Sequence, residues 1–130
     1  MVNDYLQPPK VTRKMEIGLS RFEAIRHDLD RLSATNPHEL MRAMEVHFIR
    51  DCAEMAARAS LYRTESRWGL YHNRVDHPQR NDADWLCHVQ VKKIDGSMEC
   101  FKRPLEPYII ALDEEEKQAY QHLRIVREAA

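Results

Sequence analysis

The sequence predicts a mainly α fold: an antiparallel helical hairpin of an incomplete bundle, then an irregular arm, a β-hairpin and a short C-terminal helix. Three observations lead there. Two long segments repeat apolar residues in steps of three and four, the period of a helix face. The stretch from Arg63 to Trp85 shows neither that period nor sustained alternation. A run that does alternate follows it and is broken by Asp95-Gly96, a hairpin turn signal. At 130 residues there is room for one domain with one modest core. We divide it into a lead-in (1–11), a helical hairpin (12–62), an Arg/Trp-rich arm (63–85), a β-hairpin (85–103) and a tail (104–130).

The lead-in contains Pro8-Pro9, which helix interiors exclude. Thr12 is a candidate N-cap for a first helix running to about Leu32, with Met15, Leu19, Phe22, Ile25, Leu29 and Leu32 as its stripe. A short polar break ends at Asn36-Pro37-His38-Glu39. There Asn36 caps, Pro37 occupies a position whose N–H is unpaired anyway, and Glu39 reaches back to the cap. The second helix runs to about Tyr62, with Leu40, Met44, Phe48, Cys52, Met55 and Ala59 as its stripe. So short a break places the two helices antiparallel. Two helices cover such stripes only in part, so a third element is needed to complete the core.

The arm is rich in Arg, Trp and Tyr, the side chains that anchor interfaces, and irregular backbone normally lies at a surface. Its strongest candidates for partner docking are Arg67, Trp68, Tyr71, His72, Arg74, Asp76, Arg80, Asp82 and Trp85. Beyond it, Cys87, Val89 and Val91 alternate with His88, Gln90 and Lys92. Counting outward from a two-residue loop pairs Val91 with Cys100. Asp113 to Glu116 opens the last helix, which Arg124 and Arg127 close.

Composition bounds the function. Hydrophobic residues make up 43% and charged residues 32%, so the chain is globular. A net charge of -1 lacks the basic face that nucleic-acid binding needs. There is no apolar run of the ~20 residues that span a bilayer, and no signal peptide is evident. The three cysteines have no framework spacing and read as reduced thiols. The expected location is cytoplasmic, reaching the inner face of a membrane only through partners.

The chemistry is sparse. His72, His77, Cys87, His88 and Cys100 lack the spacing of a metal site, so none is expected. Cys52 sits on a helix stripe and should be buried, which disfavours it as a nucleophile. The acidic residues of the arm alternate with arginines, which favours an ion-pair lattice over acid–base catalysis. The glycines are isolated and build no phosphate-cradling turn. No catalytic, cofactor-binding or metal-binding residue is therefore assigned.

The stretch Glu65-Ser66-Arg67, Gly69, Arg74-Val75-Asp76, Pro78-Gln79-Arg80-Asn81-Asp82 and Trp85-Leu86 resembles a long, ordered signature. It is that of the C-terminal region of the succinate dehydrogenase and fumarate reductase flavoprotein family. The Trp68-Gly69-Leu70-Tyr71-His72 segment, with Lys102-Arg103-Pro104 and Pro107-Tyr108, is closer to the adenylylsulfate reductase α-subunit branch. The similarity runs from roughly Asp4 to Ile110, and Asn81 departs from an Asp-Asp pair.

The resemblance implies a three-helix bundle, here truncated, with the first helix lying mostly before Met1. It implies a C-terminal structural and docking domain of an FAD-dependent oxidoreductase, not catalytic alone. FAD would sit in a partner flavoprotein body or in a missing N-terminal region. An iron–sulfur subunit is a further partner the resemblance admits, and the isolated chain is expected to form a homodimer. An independent protein-interaction module using the same arm is the alternative. An adjacent reading frame with an FAD fingerprint distinguishes the two.

Overall fold

The structure is a computed structural model that describes residues 2–69 and 71–105, together with residues 114, 115 and 118. The short helix α1 (Val2–Tyr5) leads into α2 (Thr12–Leu29) and α3 (Pro37–Tyr62). After the arm come a helical turn, α4 (Asp82–Trp85), and two antiparallel strands, β1 (Cys87–Ile94) and β2 (Ser97–Pro104). The predicted C-terminal helix lies outside the described residues, apart from helical positions at Glu114, Glu115 and Gln118.

The two long helices pack as a hairpin, the N-terminal half of α2 against the C-terminal half of α3. Met15 and Ala57 share the core, and Arg50 Nε reaches the Phe22 carbonyl at 3.4 Å. Leu6, Met15, Phe22 and Ala57 form that core, with Tyr5, Leu19, Ala53 and Leu61 packed on it. Gly18 lets α1 approach closely, because a Cβ there would lie 3.1 Å from the Tyr5 Cβ.

The α3 start is as predicted in part. The Asn36 side chain accepts from the Glu39 N–H at 3.0 Å, and Pro37 is the first helical residue. The Glu39 carboxylate reaches one residue further back than expected, to the Thr35 N–H at 2.9 Å and its hydroxyl at 2.7 Å. At α2 the expectation fails. Thr12 is the first helical residue, Val11 holds the cap position without a side-chain bond, and the helix ends at Leu29. Leu32 is therefore off the stripe and exposed.

The larger correction concerns which face of α3 turns inward. Leu40, Met44, Phe48 and Met55 are 54%, 49%, 62% and 37% exposed, and Cys52 is exposed rather than buried. Facing α2 instead are Ala53, Glu54, Ala57 and Leu61. Small side chains let the helix axes approach. The one acid on that face, Glu54, pairs with Arg50 and with Arg58 Nε at 2.8 Å. Leu40, Met41, Met44, Phe48 and Ile49 make an apolar surface that the described residues leave uncovered.

The β-hairpin follows the predicted register, with Val91 opposite Cys100 and Ile94 opposite Ser97. Asp95 and Gly96 have φ of 48° and 87°, the left-handed pair of a type I′ turn. Trp85 belongs to α4 and not to the strand. The hairpin leans on α3, and the Cys100 thiol is pushed up by burial, against the opposing pull of Arg58.

Candidate functional site

The arm departs most from expectation, because much of it is interior. Glu65 and Arg74 are fully buried, and Arg63, His72 and Trp85 are nearly so. A buried charge is tolerable only when paired and hydrogen-bonded. Among the described residues no buried side-chain nitrogen or oxygen lacks a partner.

Two clusters achieve this. In the first, the Glu65 carboxylate accepts from Arg63 Nη1 at 2.6 Å, Arg67 Nε at 2.7 Å, Arg67 Nη2 at 3.1 Å and the Asn81 N–H at 2.8 Å. Burial, the largest single influence, pushes the Glu65 carboxyl up; the donors together outweigh it and hold the group below its usual range. Arg63 also donates to the carbonyls of Trp85 at 2.8 Å and Cys87 at 2.6 Å, which fixes where β1 begins. Arg67 continues to Asp82 at 2.5 Å, and Arg80 grips the same carboxylate at 2.8 and 2.7 Å. Arg80 is the main cause that draws the Asp82 carboxyl down to about 2.

In the second cluster Arg74 joins the ends of the two long helices. Its Nη1 donates to the carbonyls of Ser60 at 2.7 Å and Arg63 at 3.1 Å, where the last turn of α3 has no helical N–H to offer. Its Nε and Nη2 hold Asp76 at 3.0 and 2.9 Å. Asp76 in turn accepts from the Thr12 N–H at 3.0 Å and from the Thr12 hydroxyl. The cap of α2 thus comes from 64 residues away. A cation lies at a helix C-terminus and an anion at a helix N-terminus, each matching the local dipole. The Asp76 carboxyl is held well below the usual range, first by Arg74 and then by Thr12.

Further bonds seat the arm. The Lys10 N–H donates to the Asn73 carbonyl at 2.7 Å, the Lys10 carbonyl accepts from the Val75 N–H at 2.9 Å, and Ser66 Oγ accepts from the Arg74 N–H at 2.8 Å. His72 Nε2 lies 3.4 Å from the Arg63 carbonyl, and burial, then Lys10, pushes its pKa down. Neither histidine nor cysteine chemistry gathers here. Among the described residues no group of three or more His, Cys, Asp or Glu is placed to hold a metal ion.

The nine predicted docking residues therefore separate by exposure. Arg67, His72, Arg74 and Trp85 point inward. Asp76 and Asp82 are partly exposed and complete the clusters. Trp68, Tyr71 and Arg80 face solvent, with Trp68 and Tyr71 68% and 82% exposed. Trp68 has φ of 58°, a conformation that costs a bulky residue strain, and Gly69 follows at 56°. The guanidinium of Arg63 lies between Trp68 and Trp85, 5.8 and 5.4 Å from the ring centres. Lys102 Nζ stacks on Trp85 at 3.9 Å, and Tyr62 meets it edge-on at 5.6 Å.

The prediction omitted Arg63, Glu65 and Thr12 from the site. Spacing carried a signal for the first two. Residues two apart share one side of extended backbone, and Glu65–Arg67, Arg74–Asp76 and Arg80–Asp82 each make a two-bonded pair at that spacing.

Two cavities flank Trp68. One, of about 350 Å3, is bounded by Arg63, His72, Trp85, Leu86, Val89 and Leu105, among others. The second, of about 510 Å3, lies beyond Trp68 against Ser66, Gly69, Asn73 and Arg80, and Trp68 and Arg67 border both. Among the described residues no glycine-rich turn is arranged to hold a flavin dinucleotide. Gly18 is packed inside a helix contact, while Gly69 and Gly96 lie in tight turns. Among the described residues the one sheet is a two-stranded antiparallel hairpin, without the parallel strand–turn–helix unit that holds a dinucleotide.

Comparison with known proteins identifies relatives. The family described as fumarate reductase flavoprotein C-term matches residues 1–120. The succinate dehydrogenase flavoprotein subunit of Coxiella burnetii is 31% identical over 82 residues, 59% of this chain and 14% of that protein. Adenylylsulfate reductase from Archaeoglobus fulgidus superposes with a TM-score of 0.76 at 29% identity, over 86% of this chain and 18% of that one. A structure of adenosine-5-phosphosulfate reductase in complex with sulfite gives a TM-score of 0.71 at 32% identity, over 80% of this chain and 16% of that one. This chain thus spans less than a fifth of each of these relatives.

Proposed function

Because the chain belongs to the fumarate reductase flavoprotein C-terminal family, we propose that it is the structural and docking domain of an FAD-dependent oxidoreductase, with no catalytic group of its own. Flavin, substrate and the groups that move protons and hydride belong to a flavoprotein body, in the same reading frame or a separate subunit. Electrons pass onward through that body, and an iron–sulfur subunit is a further partner of the assembly. The location is cytoplasmic. Among the described residues no helix is long and apolar enough to cross a membrane.

The observation that carries the docking reading is the exposed tip of the arm. Two ionic clusters hold the base of the arm rigidly, while Trp68 and Tyr71 are left projecting beside Arg80. Large aromatics on a rigid support lose little side-chain freedom on binding, which suits them as anchors. A second surface, the bare apolar face of α3, pairs with a second copy when the chain is alone.

Co-purification of the chain with a body that carries the FAD fingerprint tests this. The complex shows a flavin spectrum and the lone chain shows none. Trp68→Ala weakens assembly by ~2 kcal/mol or more, as loss of an interface anchor does, and leaves the melting of the isolated chain nearly unchanged. Flavin bound by the lone chain overturns the reading.

A further inference from the structure

We propose that His72 latches the tip of the arm: as a neutral ring it closes the turn that carries Trp68 and Tyr71, and on taking up a proton it leaves its pocket and the tip opens. Docking through that tip is then strongest near neutral pH and weakens in mildly acidic surroundings, a consequence that rests on the docking reading.

The backbone makes His72 the closing residue of the tip. Its carbonyl accepts from the Arg67 N–H at 2.9 Å, an antiparallel bridge across the turn. Inside that bridge the Tyr71 N–H donates to the Trp68 carbonyl at 3.3 Å. Trp68 holds its left-handed φ of 58° only while the turn is closed around it. Immediately past His72 the chain is fixed by Lys10 at Asn73 and by Ser66 at Arg74. The tip can therefore open without disturbing the helices, as small units of a fold do.

The side chain goes the other way from the tip. While Trp68 and Tyr71 project, the His72 ring is 6% exposed. Its Nε2 lies 3.4 Å from the Arg63 carbonyl, which only accepts, so Nε2 carries the hydrogen of the neutral ring. Arg74 Nη1 donates to the same carbonyl at 3.1 Å. Among the described residues, the charges that act on the ring come from Lys10 of the lead-in, Arg63 at the end of α3 and Arg74 of the arm, and all three oppose a proton on it. The arm carboxylates are engaged elsewhere, Glu65 by Arg63 and Arg67 and Asp76 by Arg74 and Thr12. His88 of β1 borders the same cavity and adds a further positive charge when protonated. An imidazolium in this place is a buried cation among cations, the costly case.

In the open tip the ring meets water and titrates near its ordinary 6.5, whereas in the closed tip burial and Lys10 hold it lower. Above pH 6.5 the ring is neutral in both states and closure is at full strength. As pH falls through 6.5 the proton goes to the open state, and closure weakens until the lower value of the closed tip is reached.

Amide hydrogen exchange of the full chain, corrected for the intrinsic effect of pH, reads opening at the Arg67 and Tyr71 N–H groups. From pH about 7.5 to about 5.5 their protection falls about five- to tenfold in the wild type, the loss set by one unit below the free value. In His72→Gln protein, whose side-chain amide keeps a donor for the Arg63 carbonyl, protection at both changes less than about twofold. Proton resonance places the midpoint of the His72 ring below 6.5. A ring that titrates at 6.5 or above, or an equal pH response in the two proteins, overturns the inference. Where His72→Gln does not fold, the wild type decides, and protection at Arg67 and Tyr71 that is constant over this range overturns it. Retention of the flavoprotein body on the immobilised chain separates the two proposals. A body held about fivefold more weakly at the lower pH by the wild type than by His72→Gln protein supports both. A body that responds to pH alike on the two chains leaves docking standing and refutes its control by His72. A body retained at neither pH refutes the docking reading, and the exchange measurement still judges the latch.

Discussion

Arg74 ties the start of α2 to the end of α3. It is fully buried, and its guanidinium meets the end of α3, the side chain of Asp76 and, at 2.7 Å, the Thr12 hydroxyl. Removing one partner of a buried pair strands the other charge, which typically costs more than the pair contributes. Arg74→Met is expected to destabilise the chain by about 3 kcal/mol, read from urea unfolding. A change under about 1 kcal/mol would show the clamp to be incidental. Asp76 gives the same clamp a pH dependence. Its carboxyl is lowered in the fold from an ordinary 3.8. The stabilisation is therefore present above pH 3.8 and is lost as pH falls below that value towards the lower folded one. The difference in melting temperature between wild type and Asp76→Asn should shrink as pH drops from 5 to 3. A constant difference would mean that the charge of Asp76 is not what stabilises.

At the scale of elements, the ends of α2 and α3 are the informative features. Each long helix is short of apolar burial, so its termini matter more than in a large core. Asn36 caps α3 from its own sequence, whereas α2 borrows Asp76. The β-hairpin is joined to the first cluster by Arg63 at the Cys87 carbonyl. Its turn is the point to test. Gly96 has φ of 87° with open space around its Cα, so Gly96→Ala acts through backbone strain alone. A cost of about 1–2 kcal/mol is expected, seen as a lower melting temperature with unchanged helical circular dichroism. No loss would mean that the hairpin contributes nothing to cooperative unfolding.

For the whole molecule, the feature to test is the apolar face of α3 that the described residues leave uncovered. Phe48 and Ile49 are 62% and 64% exposed beside Leu40, Met41 and Met44. Contiguous apolar patches of this kind are rarely left in water. At micromolar concentration the isolated chain is expected to sediment as a dimer, with α3 faces paired isologously. Met44→Lys with Phe48→Lys should return it to a monomer and reduce binding of an apolar dye. A wild-type monomer without dye binding would exclude self-pairing. The tip of the arm is separate from this face in sequence, so Trp68→Ala should leave the dimer intact.

Local rules sufficed for what depends on neighbours in the chain. The Asn36-Pro37 start, the end of α3 at Tyr62 and the Val91–Cys100 register follow from capping and turn geometry within a few residues. The family signature was legible for a related reason. The Arg-x-Asp and Glu-x-Arg spacings are short-range, and they encode the ion-pair lattice that the alternating charges implied. The tertiary structure alone decided which face of α3 is inside. Its stripe of Met44, Phe48 and Cys52 and its small-residue face both repeat at helical spacing, and only proximity to α2 selects the face with Ala53 and Ala57. It also decided that the arm is largely interior. Irregular backbone reads as surface because its polar groups need partners. Here Glu65, Ser66, Arg74 and Asp76 supply those partners across long stretches of chain, and no local pattern reports a bond made 64 residues away.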